Sequence, residues 1–347
     1  MRKPLLCLLL AACTLAHAGD YSKNEELQAV IDQLVQEKVY APGELEALFD
    51  QVSRQERALN AMSKPAESVK EWKDYGPQFL TGERVDQGVA FWNQNQLALD
   101  RAARVYGVPP EVIIAIIGVE TKYGSSQGRF RTLDTLATLA FDYPARSAFF
   151  RKELMEYLRL VREEKLDPLN TWGSYAGALG YPQFMPSNWR TLAVDFDGDG
   201  HRDLINDPVD AIGSVGNYFK SMGWQPGEPA ALRAHIISQD YDSAINKDLT
   251  INSTLGEIAR KGLIPRESGS YLATMPASAI RLQGDDGAEF WLGLNNFYVI
   301  TRYNHSALYA MAVWQLSQQI KVAHEARIAP PLPAVLPAPA PAAASGQ

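Results

Sequence analysis

Cysteine is nearly missing from the 347 residues: Cys7 and Cys13, both close to the N-terminus, are the only two. If that stretch is a leader, the body of the chain has neither thiol nor disulfide, and packing, with or without a metal, must stabilise it. A basic excess is lacking too. There are 33 Lys and Arg against 40 Asp and Glu, a formal net charge of −7, and the cations are scattered rather than gathered in a stripe. That argues against nucleic acid as a partner. No hydrophobic run is long enough to span a membrane. Leu5 to Ala12 and Val112 to Val119 fall far short of the roughly 20 residues a spanning helix needs. Nor is there an internal repeat. The length suits one compact unit of two or three lobes.

What is present starts with "MRKPLLCLLLAACTLAHAGD": basic Arg2 and Lys3, an apolar run, and small residues at Ala16 and Ala18. This is the pattern of an export signal over 1–18. Two endings are open. "LAAC", Leu10 to Cys13, resembles a bacterial lipobox, which would make Cys13 the lipidated first residue of a lipoprotein anchored at the outer membrane of a Gram-negative cell and facing the periplasm. Cleavage after "AHA", Ala16 to Ala18, would instead release a soluble periplasmic protein at Gly19.

Helical spacing of apolar residues runs through "NEELQAVIDQLVQEKVY", "PGELEALFDQVSRQERAL" and the long "GERVDQGVAFWNQNQLALDRAARVYG", which Gly107 ends. A further helix starts at Pro110, another covers 144–165, and "HSALYAMAVWQLSQQI" reads as one more. Between 171 and 203, Gly, Pro, Ser, Asn and Asp dominate, as in a functional loop. "ASAIRLQ", "AEFWLGL" and "NFYVITRY" read as strands, with "GDDG" as the turn between the first two. From 330 to 347 the chain is Pro/Ala-rich low complexity. The expected class is α+β, mainly helical, with the functional region over 19–329.

The stretch "EVIIAIIGVETKYG" carries the sharpest signal. A run as apolar as Val112 to Val119 ends on Glu120. Desolvation and the negative end of the helix dipole both favour the neutral carboxyl there, and a carboxylic acid that holds its proton until a leaving oxygen takes it is a general acid. The plainer reading is a helix-end glutamate facing water or paired with Lys122.

The surroundings favour the first. Over nearly the whole mature chain, "GVETKYG", "ATLAFDYPARSAFF", "GSYAGALGYPQFMPS", "DFDGDGHRDLINDPVDAIGSVGNYF" and "NFYVITRYNHSALYAMAVWQL" resemble, in order, blocks of the membrane-bound lytic murein transglycosylase B family. The resemblance implies a lysozyme-like catalytic core with a helical lobe and a small β part, acting on peptidoglycan. Glu120 would protonate the oxygen joining N-acetylmuramic acid to N-acetylglucosamine, assisted by the muramyl N-acetyl oxygen. It would then take the proton of the muramyl C6 hydroxyl, leaving a 1,6-anhydro end with no water consumed. Ordinary glycosidases need two carboxyl groups; the next carboxylates after Glu120, Asp134 and Asp142, lie in no matching motif.

By the same resemblance Ser174 orients the N-acetyl group, Gln183 hydrogen-bonds sugar beside the acid, and Phe184 and Met185 line the groove. Tyr75, Tyr218, Tyr298 and Tyr303 offer apolar faces with polar tips, and Arg146 meets the peptide stem or lactyl carboxylate. Pro182 stands where the family more usually has glycine and stiffens that loop.

"DFDGDGHRDLIND" is an independent signal. Asp195, Asp197 and Asp199 occupy positions 1, 3 and 5 of an EF-hand-like loop, Gly200 gives the turn, and His201 offers its carbonyl at 7; such hard oxygen donors favour structural Ca²⁺. Position 12 is Asn206 rather than Glu, and the resemblance supplies the closing carboxylate from Asp210 rather than Asp207. No organic cofactor is implied, and wall-synthesis proteins are conceivable partners. Two rival functions remain at this point: a muramidase that uses water, and a non-catalytic, calcium-binding lipoprotein of the wall.

Overall fold

The computed structural model describes residues 19–63, 70–267, 269 and 271–328. The export signal with Cys13 and the 330–347 tail lie outside the described residues.

The helices and strands follow in chain order. The N-terminal part holds α1 (Glu25–Gln36), α2 (Glu44–Phe49), α3 (Glu56–Ser63), α4 (Trp72–Tyr75), α5 (Gly82–Gln94), α6 (Gln96–Tyr106) and α7 (Pro110–Thr121). Then come β1 (Phe130–Arg131), α8 (Thr132–Asp142), α9 (Ser147–Glu163), β2 (Trp172–Gly173), α10 (Pro186–Leu192) and α11 (Pro208–Ser221). The last third contains β3 (Ala231–Ile236), β4 (Ser253–Thr254), α12 (Leu255–Arg260), β5 (Leu263–Pro265), β6 (Pro276–Gly284), β7 (Gly287–Gly293), α13 (Asn295–Thr301) and α14 (Ala307–Ile328). The chain is mainly helical with one substantial sheet. Among the described residues no single helix is long and apolar enough to cross a membrane.

Helix α7 is the axis of the core. Pro110 at its first turn has no N–H to leave unpaired, and every residue from Glu111 to Gly118 is buried. A helix apolar all round has no amphipathic stripe because it has neighbours on all sides; here they are α5, α6, α11 and α14. The helix stops abruptly. Lys122, Tyr123 and Gly124 all take left-handed backbone, with φ of 49°, 58° and 88°, a conformation disfavoured for two of the three. Side chains hold it: the Tyr123 hydroxyl donates to the Arg84 carbonyl at 2.7 Å, and the Arg84 guanidinium donates to the Gly118 carbonyl.

The five strands of the sheet run β4-β6-β7-β3-β5, all neighbours antiparallel. Gly284 pairs with Gly287 across the "GDDG" turn, and Gly287 has φ of 120°. Alternation sorts the two faces. Ile280, Leu282 and Trp291 join the main core, whereas Ala277, Ala279, Phe290 and Leu292 pack with Leu255 and Ile258 of α12.

Three expectations from the sequence are corrected. Residues 296–303 are not a strand: α13 occupies Asn295–Thr301, and because Asn296 to Thr301 are all buried, no period-2 alternation marks it. The long helix over 82–107 is broken at Asn95, whose φ of −117° and ψ of 20° end α5 and start α6. The second N-terminal helix is also two. Between α2 and α3 the amides of Ser53, Arg54 and Gln55 go to the side chains of Asp134, Asp20 and Thr138, at 3.3, 2.8 and 2.9 Å. Distant partners have taken the donors that a continuous helix would use.

Candidate active site

Glu120 stands one residue before the end of α7, half-buried. Its Oε1 accepts a hydrogen bond of 2.6 Å from the hydroxyl of Tyr309 in the first turn of α14. Tyr309 is 2% exposed. Burial, reinforced by the nearby Glu120 charge, pushes its phenol well above 10, so Tyr309 is a fixed donor at any physiological pH. Tyr303 is raised in the same way, by burial and then by Glu120, and its hydroxyl donates to the Pro182 carbonyl at 2.7 Å. Tyr75, 4% exposed and 5.1 Å from Phe79 between ring centroids, lies close enough to Tyr309 to influence it. Two tyrosines on the C-terminal helical segment thus brace a carboxyl group and the loop beside it.

That loop is itself strongly held. Strands β1 and β2 pair Phe130 with Gly173, and Leu179 and Phe184 exchange backbone hydrogen bonds of 2.9 and 3.1 Å. The amides of Ala176 and Ala178 donate to Ser174 Oγ at 3.3 and 3.0 Å, which leaves the hydroxyl proton of Ser174 to give outward. Gln183 takes a left-handed φ of 51° behind Pro182, and its side-chain N–H groups donate to the carbonyls of Gln127 and Gly180, both at 3.0 Å. Its amide oxygen therefore remains the group able to meet a ligand.

The other residues singled out in the sequence divide. Met185 is half-buried at the start of α10. Phe184, 1% exposed, packs against Tyr218 and Tyr303, with ring centroids 5.7 and 5.9 Å away. Tyr218 is 4% exposed and donates to the Arg302 carbonyl at 2.6 Å. These two rings pack behind the loop, both largely buried. Tyr298 lines a separate cavity of about 560 Å³ with Asn246, Arg281 and Ala307. Arg146 is exposed and lies over the ring of Phe149, 4.3 Å from its centroid.

The next two carboxylates after Glu120 in sequence make their hydrogen bonds elsewhere. Asp134 accepts from Ser53, Gln55 and Arg131, and Asp142 accepts from Tyr21 at 2.6 Å and Arg54 at 2.8 Å. Both tie the N-terminal lobe to α8.

In the Asp-rich loop the carboxylate oxygens of Asp195, Asp197 and Asp210 lie within 4.8 Å of one another. Left-handed Gly198 and Gly200, with φ of 87° and 94°, allow the loop to curl so that the amides of Gly198, Asp199 and Gly200 reach Asp195. Asp210 accepts from the amides of Phe196 at 2.6 Å and Asp203 at 2.7 Å, and burial raises its pKa to about 6 against the pull of those donors. A buried carboxyl whose charge is disfavoured, next to two further carboxylates, suits a hard divalent cation. Asp207 instead caps α11, accepting from Val209. Asp199 departs from the expected set: its Oδ1 accepts from the His201 amide at 2.8 Å and is not in the three-carboxylate cluster.

Tyr309 was not among the sequence-derived residues. It lies 189 positions from Glu120, and only the packing of α14 on α7 brings the two together. A lone phenol in the apolar run "ALYAMAV" was the one available hint.

Comparison with known proteins identifies the family and the fold. The model of the transglycosylase SLT domain matches residues 22–318. The membrane-bound lytic murein transglycosylase B of Escherichia coli strain K12 is 45% identical over 315 residues, covering 88% of this chain and 85% of that protein. Among solved structures, the catenated lytic transglycosylase SltB1 from Pseudomonas aeruginosa superposes with a TM-score of 0.83 at 47% identity, covering 88% of this chain and all of that one. The Escherichia coli lytic transglycosylase Slt35 in complex with calcium gives 0.81 at 44% identity, covering 89% of this chain and 96% of that one.

Proposed function

The chain belongs to the transglycosylase SLT family and is a lytic transglycosylase of murein; on that premise we propose that Glu120 is its single acid and base. The observation that carries the assignment is the pairing of one braced carboxyl at the end of a buried helix with two neighbouring carboxylates already spent on lobe contacts. With one acid, the substrate must supply the second group. Glu120 gives its proton to the glycosidic oxygen between N-acetylmuramic acid and N-acetylglucosamine, and the muramyl N-acetyl oxygen stabilises the anomeric carbon. The resulting carboxylate, held by the Tyr309 donor, takes the C6 hydroxyl proton as that oxygen closes on C1. Ser174 Oγ–H is suited to hold the N-acetyl oxygen and the Gln183 amide oxygen to accept from a sugar hydroxyl. Arg146, exposed, is available to a stem carboxylate.

Calcium is proposed at Asp195, Asp197 and Asp210, with the backbone carbonyl of His201 as a further donor and Asp199 reaching the ion only if its carboxylate turns. Its part is to fix the loop after α10. Residues 19–329 form the catalytic region on this reading. An export signal within residues 1–18 delivers it to the periplasm; on the lipobox reading cleavage falls before Cys13, which then carries the lipid that holds the protein at the outer membrane. The test of the chemistry is mass spectrometry of murein digested by wild type and by Glu120→Gln. Anhydromuramyl ends from the first and intact strands from the second support it; reducing ends would assign a hydrolase.

A further inference from the structure

A second cavity, of about 750 Å³, lies at the other end of α7 from the acid, between the start of that helix, the β3 and β7 strands and the middle of α14. Glu111 borders it. At a rise of about 1.5 Å per residue, Glu111 and Glu120 are about 14 Å apart along the helix, and neither Glu120, Tyr309, Ser174 nor Gln183 lines this cavity.

Its lining has a distinct chemistry. Trp314 is half-buried at its wall, with the largely buried indoles of Trp224 and Trp291 behind it, and Gln315 and Gln318 on α14 add two side-chain amides. Charges nearly balance: Arg233 and Lys321 stand against Glu111, Glu228 and Glu267, and Lys321 is paired with Glu111 at 3.4 Å. An anion would meet a net negative lining, and a cation would compete with Arg233 and Lys321 for the same carboxylates. A purely apolar one would strand the amides and the ion pair. Aromatic faces with amides that both donate and accept suit a neutral ligand whose rings have apolar faces and polar rims, and an N-acetylhexosamine is such a ligand.

We propose that this cavity binds a second segment of glycan, away from the one being cleaved. The assignment rests on murein being the substrate. An insoluble network presents many strands to one enzyme, and a second weak site raises residence on it through effective concentration without touching the chemistry.

The test uses the full-length chain carrying Glu120→Gln, with tetra-N-acetylchitotetraose as the probe. Isotope-labelled indole N–H resonances of Trp291 and Trp314, assigned by Trp→Phe variants, should move saturably on titration. Adding Gln315→Ala and Gln318→Ala should weaken that response about fivefold or more and lower affinity for purified sacculi about tenfold, less than the ~10²–10⁴-fold that full multivalency can give. Both glutamines are on a helix surface and alanine is a good helix former, so the fold survives the change; Trp314→Phe gives an independent readout. Stationary indole resonances, or sacculus affinity unchanged in the double variant, overturn the proposal. Movement with an isolated stem peptide but not with the sugar overturns the glycan assignment. If wild type instead yields reducing ends from murein, the transglycosylase reading fails while the indole titration stands on its own.

Discussion

Replacing Tyr309 by Phe removes one oxygen from the molecule and tests the brace on the acid directly. The phenol is 2% exposed, its ring stays in place as Phe, and the lost contact is the 2.6 Å hydrogen bond to Glu120 Oε1. A hydrogen bond to a charged group is worth about 1.5–3 kcal/mol, which would be about ten- to 150-fold in rate if all of it acted at the transition state. Part of it also orients the ground state, so a fall in kcat near the lower end, about tenfold, is expected, with KM little changed. A second readout separates positioning from a general loss of structure. A donor to a carboxylate favours the ionised form, so losing it favours the protonated form. Glu120 must begin protonated, and the alkaline limb of the kcat/KM profile should therefore move to higher pH. The assay is release of anhydromuropeptides from sacculi across a pH series, with a thermal melt to confirm folding. An unchanged alkaline limb together with kcat within twofold of wild type would refute the role given to Tyr309.

Glu120→Gln should bind sacculi yet lose at least the ~10²–10⁴-fold typical of general acid catalysis, measured as turnover on a murein gel; activity within tenfold of wild type would move the acid elsewhere. Asp197→Ala should lower the melting temperature in calcium while leaving it near wild type in chelator, because a ligand bound only by the folded state stabilises by mass action; no calcium effect on either protein would make the loop an ordinary turn. Tyr40 and Tyr218 are both raised to about 12, chiefly by burial, so above pH ~10 the unfolded chain releases protons that the folded one keeps. Their stability contribution is whole below that pH and is lost as pH rises towards 12, which phenolate absorbance and unfolding curves should show together. Cys13→Ser should move the protein from the membrane fraction to the soluble periplasm, since acyl chains hold by about 0.8 kcal/mol per buried methylene; an unlipidated mature chain starting at Gly19 would refute that.

What could be read from the sequence, and what could not, follows from where the determining contacts lie. The end of α7 was legible because its signal is local: an apolar run closed by a carboxylate and followed by Lys122, Tyr123 and Gly124, the three residues that turn left-handed. The Asp-rich loop was legible for the same reason, and its closing residue, Asp210, came from resemblance and not from spacing. Where the deciding partners are distant, local pattern misled. Asp134 and Thr138 break the second N-terminal helix from about eighty residues away and leave no trace in residues 51–55. The 296–303 segment is rich in β-branched and aromatic residues, yet the side chain of Asn296 ties α13 to Gln225 and Glu228, and full burial removes the alternation that would have distinguished strand from helix.

Tyr309 shows how this limit bears on function. A helix buried on all sides has only its ends free for chemistry, so the position of the acid is fixed by α7 alone. The hydrogen bonding of that carboxyl, the proposed acid, depends on a neighbour. The donor to Glu120 comes from the first turn of α14, and Tyr303, a few residues earlier, holds the Pro182 carbonyl in the loop that carries Gln183. One C-terminal segment therefore sets both the acid and the loop expected to grip the sugar. Loosening that segment, without touching Glu120, should lower turnover on murein as surely as altering the acid's hydrogen bond does.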